Sequence, residues 1–512
     1  MYNSPLAAEP TASVSTPSSL GGSVGRAASW ATGSRLAAQG IQLIISVALA
    51  HIVIPRYFGY VALLAVFTQY ASLLADLSVG AAVVKTENRT DSLLSTAFVL
   101  NLIMCVSLTI VVVLLAHPFA QLYHQPKLVS LTYLVALSIL CSVDAVPTGI
   151  LEREFRFRAI AWIEIGSVVS AGAVAIALAS AGYGLLGLAM LQVVQPVMLS
   201  VLSFVATRWL PRAKPLIADF REITAFSLGL FGFNSLNYWT RNADNFLIGR
   251  FVGAVPLAYY ARAYNLMTVP VTQLTAPFGR VVFPALARLD ADRDRQEQAY
   301  LRSVLTTAIV LTPIVVMLAA TGHHLIDVVY GERWRGAGPL LVVLAIGGVP
   351  QIIGSSTGWL YQGQGRTRTM FYWSLFTSVV TVGSFVAGLP YGAIGVASAY
   401  AIRSYLIFVP SLWIALRGTG LSLTHLMISV ARVWACCAAM AGAVLLSGLL
   451  LYPVLPAFGA LLLTIIFGGA VYVLCARFVC ASTFNDIRTL LGGMVRDRRL
   501  ATSRVRMSSS AD

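Results

Sequence analysis

The sequence predicts an all-α polytopic membrane protein, and three observations carry that prediction. Of 512 residues, 58% are hydrophobic and only 11% are Asp, Glu, Lys or Arg; a soluble globular chain is about a quarter charged. Apolar runs of about 20 residues, each long enough to cross a bilayer core, recur from Gly33 almost to the end. The basic residues fall mainly in alternate gaps between those runs.

The runs separate at 36–54, 61–83, 93–116, 128–147, 160–180, 184–207, 223–240, 256–284, 303–322, 338–360, 370–389, 392–416, 428–451 and 457–478, which makes fourteen. At these lengths helices are the expected form, because a membrane strand needs about 10 alternating residues. Short turns at 55–60, 181–183 and 390–391 suit antiparallel neighbours. Residues 1–30 precede the first run, are rich in Ser, Ala, Pro and Thr up to residue 25, and are expected to form a disordered tail without a cleavable signal.

With the N-terminus in the cytoplasm, 25 of the 35 Lys and Arg lie in the tails and even-numbered loops, counting Arg477 at the very end of the last run with the tail. Six lie on the other side (Arg56, Lys127, Arg241, Arg250, Arg333 and Arg335), and four sit inside runs. That bias predicts that both termini are cytoplasmic. The stretch LEREFRFR, residues 151–158, then lies in the cytoplasmic loop between spans 4 and 5. Leu151, Phe155, Ala159 and Trp162 recur at helical spacing, so the segment reads as an interfacial stripe leading into span 5, with Trp162 near headgroup level. The net charge of +15 is scattered, apart from a cluster between Arg488 and Arg506 that suits anionic lipid headgroups better than nucleic acid.

Short stretches of the first half echo in the second. RYFG (56–59) and RFVG (250–253) follow spans 1 and 7, and YGLLGLA (183–189) and YGAIGVA (391–397) open spans 6 and 12. Arg156-x-Arg158 before span 5 has a counterpart in Arg366-x-Arg368 before span 11. The expected organisation is therefore an N-tail (1–30), an N-lobe of spans 1–6 (31–210), a C-lobe of spans 7–12 (211–420), spans 13–14 (421–480) and a basic C-tail (481–512). The two six-helix halves would enclose a central cavity and rock about it for alternating access.

Fourteen spans built as six, six and two resemble the multidrug/oligosaccharidyl-lipid/polysaccharide exporter superfamily. LEREFRFRAIAWIEI (151–165), DNFLIGRFVGAVPLAYYARAYNL (244–266) and PFGRVVFPALARL (277–289) resemble its polysaccharide-exporter branch, near the colanic and teichuronic acid exporters. The resemblance, over about residues 30–480, implies a flippase that moves undecaprenyl-diphosphate-linked oligosaccharide to the periplasmic leaflet. A cation- or proton-coupled drug antiporter of the same superfamily and a membrane-embedded glycan polymerase or ligase are the competing readings. Membrane lipids, and a polysaccharide polymerase or export machinery, are the expected partners; neither a cofactor nor a catalytic residue is expected.

Charges inside spans cost at least ~2.5–3.5 kcal/mol at the bilayer centre, so they are expected to face a cavity or a partner. Arg262, Arg280, Arg56, Arg250 and Arg403 are the candidates for binding a diphosphate, because a guanidinium fork donates paired hydrogen bonds and stays charged when desolvated. Arg262 and Arg280 stand 18 residues apart and would share one face of span 8. Arg432 reads as a snorkeller or lipid contact. Asp76 and Asp244 are the coupling candidates, with a salt bridge as the alternative for Asp76 and balancing of Arg241 for Asp244. Pro256, Pro270, Pro277 and Pro284, with Gly279, predict a kinked or bendable span 8. In HHLIDVVYGERWRG (323–336) the residues His323, His324, Asp327 and Glu332 lack metal-ligand spacing, so an interfacial loop ending in a Trp334 belt is expected. The six cysteines include no C-x-x-C and read as small buried hydrophobes, and no nucleotide-binding motif is present.

Overall fold

The computed structural model describes residues 17–76, 90–273, 275, 282, 293–417 and 419–481, with the backbone alone for 17–32, 35, 76, 217–231, 233, 273, 293 and 294. Among these residues the fold is all-helical. Helices α1 (Pro17–Ile52), α2 (Pro55–Asp76) and α3 (Asp91–Leu114) come first, followed by the short α4 (Ala116–Leu122), then α5 (Leu128–Leu140) and α6 (Ala145–Arg153). Long helices α7 (Phe157–Ser180), α8 (Gly184–Thr207) and α9 (Ile217–Phe251) lead to α10 (Ala254–Thr268). The second part continues through α11 (Arg293–Tyr330), α12 (Ala337–Gly354), α13 (Ser356–Gly363), α14 (Thr367–Gly388), α15 (Gly392–Leu416), α16 (Leu423–Leu451) and α17 (Ala457–Val479). Nine described helices are long and apolar enough to cross a membrane, or ten if a bent pair counts as one span. The chain is a multi-pass membrane protein.

Local chemistry sets several boundaries. The Thr90 hydroxyl accepts the Leu93 N–H at 3.2 Å and caps α3, with Asp91 in the first turn favoured by the helix dipole. Gly253, at φ +120°, lets the chain turn sharply between α9 and α10. Helix α10 passes into a π-helical turn over Val269–Gln273 that contains Pro270, so the regular α-helix of span 8 is interrupted there. Pro256 sits harmlessly in the first turn of α10, while Pro277, Pro284 and Gly279 lie outside the described residues. The expected fourth span is likewise two helices, α5 and α6, bent by 41°.

Helices distant in sequence meet where small residues let backbones approach. A Cβ at Gly59 of α2 would overlap the Ala254 carbonyl at the start of α10, the close contact that membrane helices use in place of hydrophobic drive. Helix α2 packs on α10 and α9, α1 on α7, α7 on α8, and α12 on α10, α11 and α15. Helices α16 and α17 pair with each other and lean on α11. Four cysteines are buried and Cys141 and Cys475 are half-buried.

The LEREFRFR segment is not one helical stripe. Helix α6 stops at Arg153, Phe155 takes a left-handed φ of +53°, and α7 starts at Phe157. Leu151 is fully buried, whereas Phe155 and Trp162 are exposed. The Arg156 N–H reaches back to the Leu151 carbonyl at 2.9 Å. The same bend recurs 210 residues later: Gly365 has φ +67° and the Arg366 N–H donates to the Tyr361 carbonyl at 2.8 Å. The Arg156/Arg366 echo is thus a shared backbone geometry. RYFG and RFVG are not: Arg56 lies in the first turn of α2, and Arg250 in the last turn of α9.

Candidate functional site

A cavity of about 960 Å³ lies between α1, α2 and α8 on one side and α9 and α10 on the other. Its walls are unusually polar for a membrane interior. Gln39 and Gln42 of α1, Gln69 of α2, Gln192 and Gln195 of α8, and Asn242, Asn245 and Asn265 of α9 and α10 all line it. Polar side chains inside a membrane protein are costly unless they meet water, a ligand or each other, which makes this cavity the candidate site. Leu49, Phe58 and Tyr330 line the end nearest the α1–α2 turn, where Leu49 and Phe58 are buried, while Gln69 and Asn265 are exposed.

Three charged side chains line this space: Arg241, Arg262 and Asp144. Arg262, in the third turn of α10, is half-buried. Its Nη1 donates to the Ser46 hydroxyl of α1 at 2.6 Å, and its guanidinium carbon lies 4.6 Å from the centre of the Phe58 ring. One N–H is thereby used and the planar face is stacked, which fixes the fork. Arg241, exposed on α9, stands one turn from Asn245 on the same face. Asp144 sits at the bend between α5 and α6, where its carboxylate accepts from the Ser200 hydroxyl at 3.2 Å and from Thr148 at 3.4 Å. The arrangement offers two forks for an anion, a wall of amides and one carboxylate for hydroxyl-rich groups.

The other sequence-selected residues are placed differently. Arg280 and the side chain of Asp76 lie outside the described residues. Arg56 is exposed at the start of α2, and Arg250, at the end of α9, stacks 5.3 Å from the Phe251 ring. Neither lines the cavity. Arg403 on α15 is half-buried 5.7 Å from the Tyr400 ring, also away from the cavity wall. Asp244 is buried and turned from the cavity: Tyr260 donates to one carboxylate oxygen and the Asn245 N–H to the other, each at 2.7 Å, and these partners rather than Arg241 satisfy it. Arg432 is exposed on α16.

In the 323–336 segment, His324 stacks on Tyr452, and Arg335 pairs with Asp327 and Glu332. Trp334 is fully buried instead of lying in an interfacial belt. Besides Arg241, which was read as a loop charge, Asp144 is the charged cavity residue that sequence reasoning missed. Its signal was available: a carboxylate inside the apolar run 128–147, a few residues before the bend.

The polysaccharide biosynthesis protein family matches residues 48–339, more than half of the chain. The chain belongs to that family. The teichuronic acid biosynthesis protein TuaB of Bacillus subtilis is 29% identical over 385 residues, covering 73% of this chain and 78% of the relative. The succinoglycan biosynthesis transport protein ExoT of Rhizobium meliloti is 27% identical over 383 residues, covering 74% and 76%. Among solved structures, the lipid II flippase MurJ, inward closed, superposes with a TM-score of 0.73 at 16% identity, covering 87% of this chain and 98% of that one. The polysaccharide biosynthesis family member therefore has the MurJ fold.

Proposed function

We propose that this polysaccharide biosynthesis family member is a flippase. It moves an oligosaccharide on an undecaprenyl-diphosphate carrier from the cytoplasmic to the periplasmic leaflet of the bacterial inner membrane. The observation that carries this reading is the membrane-embedded cavity with Arg262 and Arg241 on one wall and amides around them. Guanidinium forks suit a diphosphate, and Asn, Gln and a carboxylate suit sugar hydroxyls. The names of TuaB and ExoT, which concern teichuronic acid biosynthesis and succinoglycan biosynthesis transport, support the same substrate class.

The protein acts as a carrier, without a catalytic residue, and delivers its substrate to a polysaccharide polymerase or export machinery. Fourteen spans in two six-helix lobes (31–210 and 211–420) and a C-terminal pair (421–480) complete the reading, since each apolar interval overlaps a helix or helix pair. Both termini are cytoplasmic on the basic-residue bias. A drug antiporter would favour an acidic cavity for its cationic cargo; two Arg against one Asp favour an anion.

Deletion of the gene decides the matter. Lipid-linked oligosaccharide should accumulate in the cytoplasmic leaflet while surface polysaccharide disappears, and cationic-drug sensitivity should not change. Normal surface polysaccharide with raised drug sensitivity would overturn the proposal in favour of the antiporter.

A further inference from the structure

One end of the cavity is walled by Phe58 and Tyr330, and behind them packs a side chain that its substrate chemistry does not use. Trp334 stands in the single 3-10 turn Glu332–Trp334 between α11 and α12, and its side chain is wholly buried. Its ring packs edge-on against Phe58 of α2, with centroids 5.0 Å apart, and against Tyr259 of α10 and Tyr330 of α11 at 5.9 and 5.8 Å. Its Nε1–H donates to the Ala50 carbonyl at 3.1 Å. Ala50 lies in the last turn of α1, where the helix can no longer supply amide partners for its carbonyls. The indole therefore caps a helix of the first half from a turn of the second.

The turn is built to present that ring. Gly331, at φ +85°, opens it, the Trp334 N–H returns to the Gly331 carbonyl at 3.0 Å, and Tyr259 donates to the Arg333 carbonyl at 3.1 Å. Arg335 holds Glu332 and Asp327 at 3.0 and 3.4 Å, tying the turn to the end of α11. Beneath it, the Phe58 ring that Trp334 touches is the ring under Arg262, whose other tie is Ser46 on the same helix α1. Two side-chain bonds from the second half to α1, Trp334 to Ala50 and Arg262 to Ser46, thus lie one helical turn apart at this end.

We propose that Trp334 is the latch of the cavity's outer gate. While the indole caps α1 and fills the space between Phe58, Tyr259 and Tyr330, the cavity is shut beside the α1–α2 and α11–α12 turns. Opening on that side requires the ring to leave, and the cost is moderate because water can take over both the Ala50 carbonyl and the indole N–H. This rests on the carrier reading and its orientation, which place those turns at the periplasmic face.

The test uses Ala62→Cys, a cavity position one helical turn below Phe58, in the otherwise intact chain. A membrane-impermeant maleimide is applied to whole cells and to inside-out vesicles, with the unsubstituted chain as the background for the native cysteines. With Trp334 present, labelling from the face it shields should stay near background. Trp334→Ala should raise labelling on that face about fivefold or more, the scale of one lost net hydrogen bond plus its ring contacts. Trp334→Phe, which keeps packing but loses the N–H, and Tyr259→Phe, which loosens the turn, should give smaller gains and provide the reading if Trp334→Ala does not accumulate. Equal labelling of parent and variants at matched membrane levels, or free labelling of the parent from both faces, would overturn the latch. The latch is read as the gain on the face the parent protects, orientation from which face that is, and the flippase reading from export, so the three fail separately.

Discussion

Arg262→Ala is the most informative perturbation of the cavity. The guanidinium has five N–H groups; one is spent on Ser46 at 2.6 Å, and the ring of Phe58 lies under its face at 4.6 Å. A hydrogen bond to a charged group is worth about 1.5–3 kcal/mol. Loss of a forked pair to a diphosphate, discounted for a wet cavity, comes to about 3 kcal/mol, or roughly 100-fold in transport at limiting substrate. Lysine keeps the charge without the planar fork, so Arg262→Lys should recover about half of that loss on a logarithmic scale. The assay is the initial rate at which surface polysaccharide reappears when the variant is induced in a deletion strain, with membrane protein matched by immunoblot. Ser46→Ala supplies the control, because it removes a strut and leaves the fork. Wild-type export by Arg262→Ala, or an equal defect in Ser46→Ala and Arg262→Ala, would refute the reasoning, the second by reducing Arg262 to a brace.

Three further outcomes are expected. Single cysteines should label from outside intact cells at position 333 and not at 153; the reverse pattern inverts the topology. Gly59→Ala should lower the thermal stability of the detergent-purified protein by about 1–3 kcal/mol through overpacking against Ala254, while Gly40→Ala, which meets nothing within 4 Å, should not lower it. Arg432→Ala, at an exposed position of α16, should export at close to the wild-type rate in the induction assay.

The helical architecture was legible because a bilayer enforces it: backbone groups without water must pair within the segment, so apolar runs of span length become helices. Hydropathy could not see the breaks. Residues 128–147 read as one span, and only the structure divides them near Asp144 into two helices. Span 8 likewise gives up regular α-helix after Thr268 for a π-helical turn, which hydropathy does not signal. Charge type pointed to Arg262, but the direction of a side chain depends on which neighbour the helix meets. That is why Arg403 and Asp244, equally conspicuous in the sequence, rest against tyrosines away from the cavity wall. Arg241 entered as a loop charge and turned out to line the wall. Trp334 showed the opposite error, since an aromatic near a span end suggests a headgroup anchor and this one is wholly buried.

The twin bends at Phe155 and Gly365 have a mechanical consequence. They share one backbone shape, yet a left-handed residue with a Cβ carries about 1–2 kcal/mol of strain that glycine does not. Glycine also crosses to neighbouring conformations freely, whereas phenylalanine is confined to a narrow well. The bend before α14 is therefore a soft joint and the bend before α7 a stiff one. In the proposed carrier, flexure at these paired positions would concentrate on the glycine side, so the repeated design would move asymmetrically.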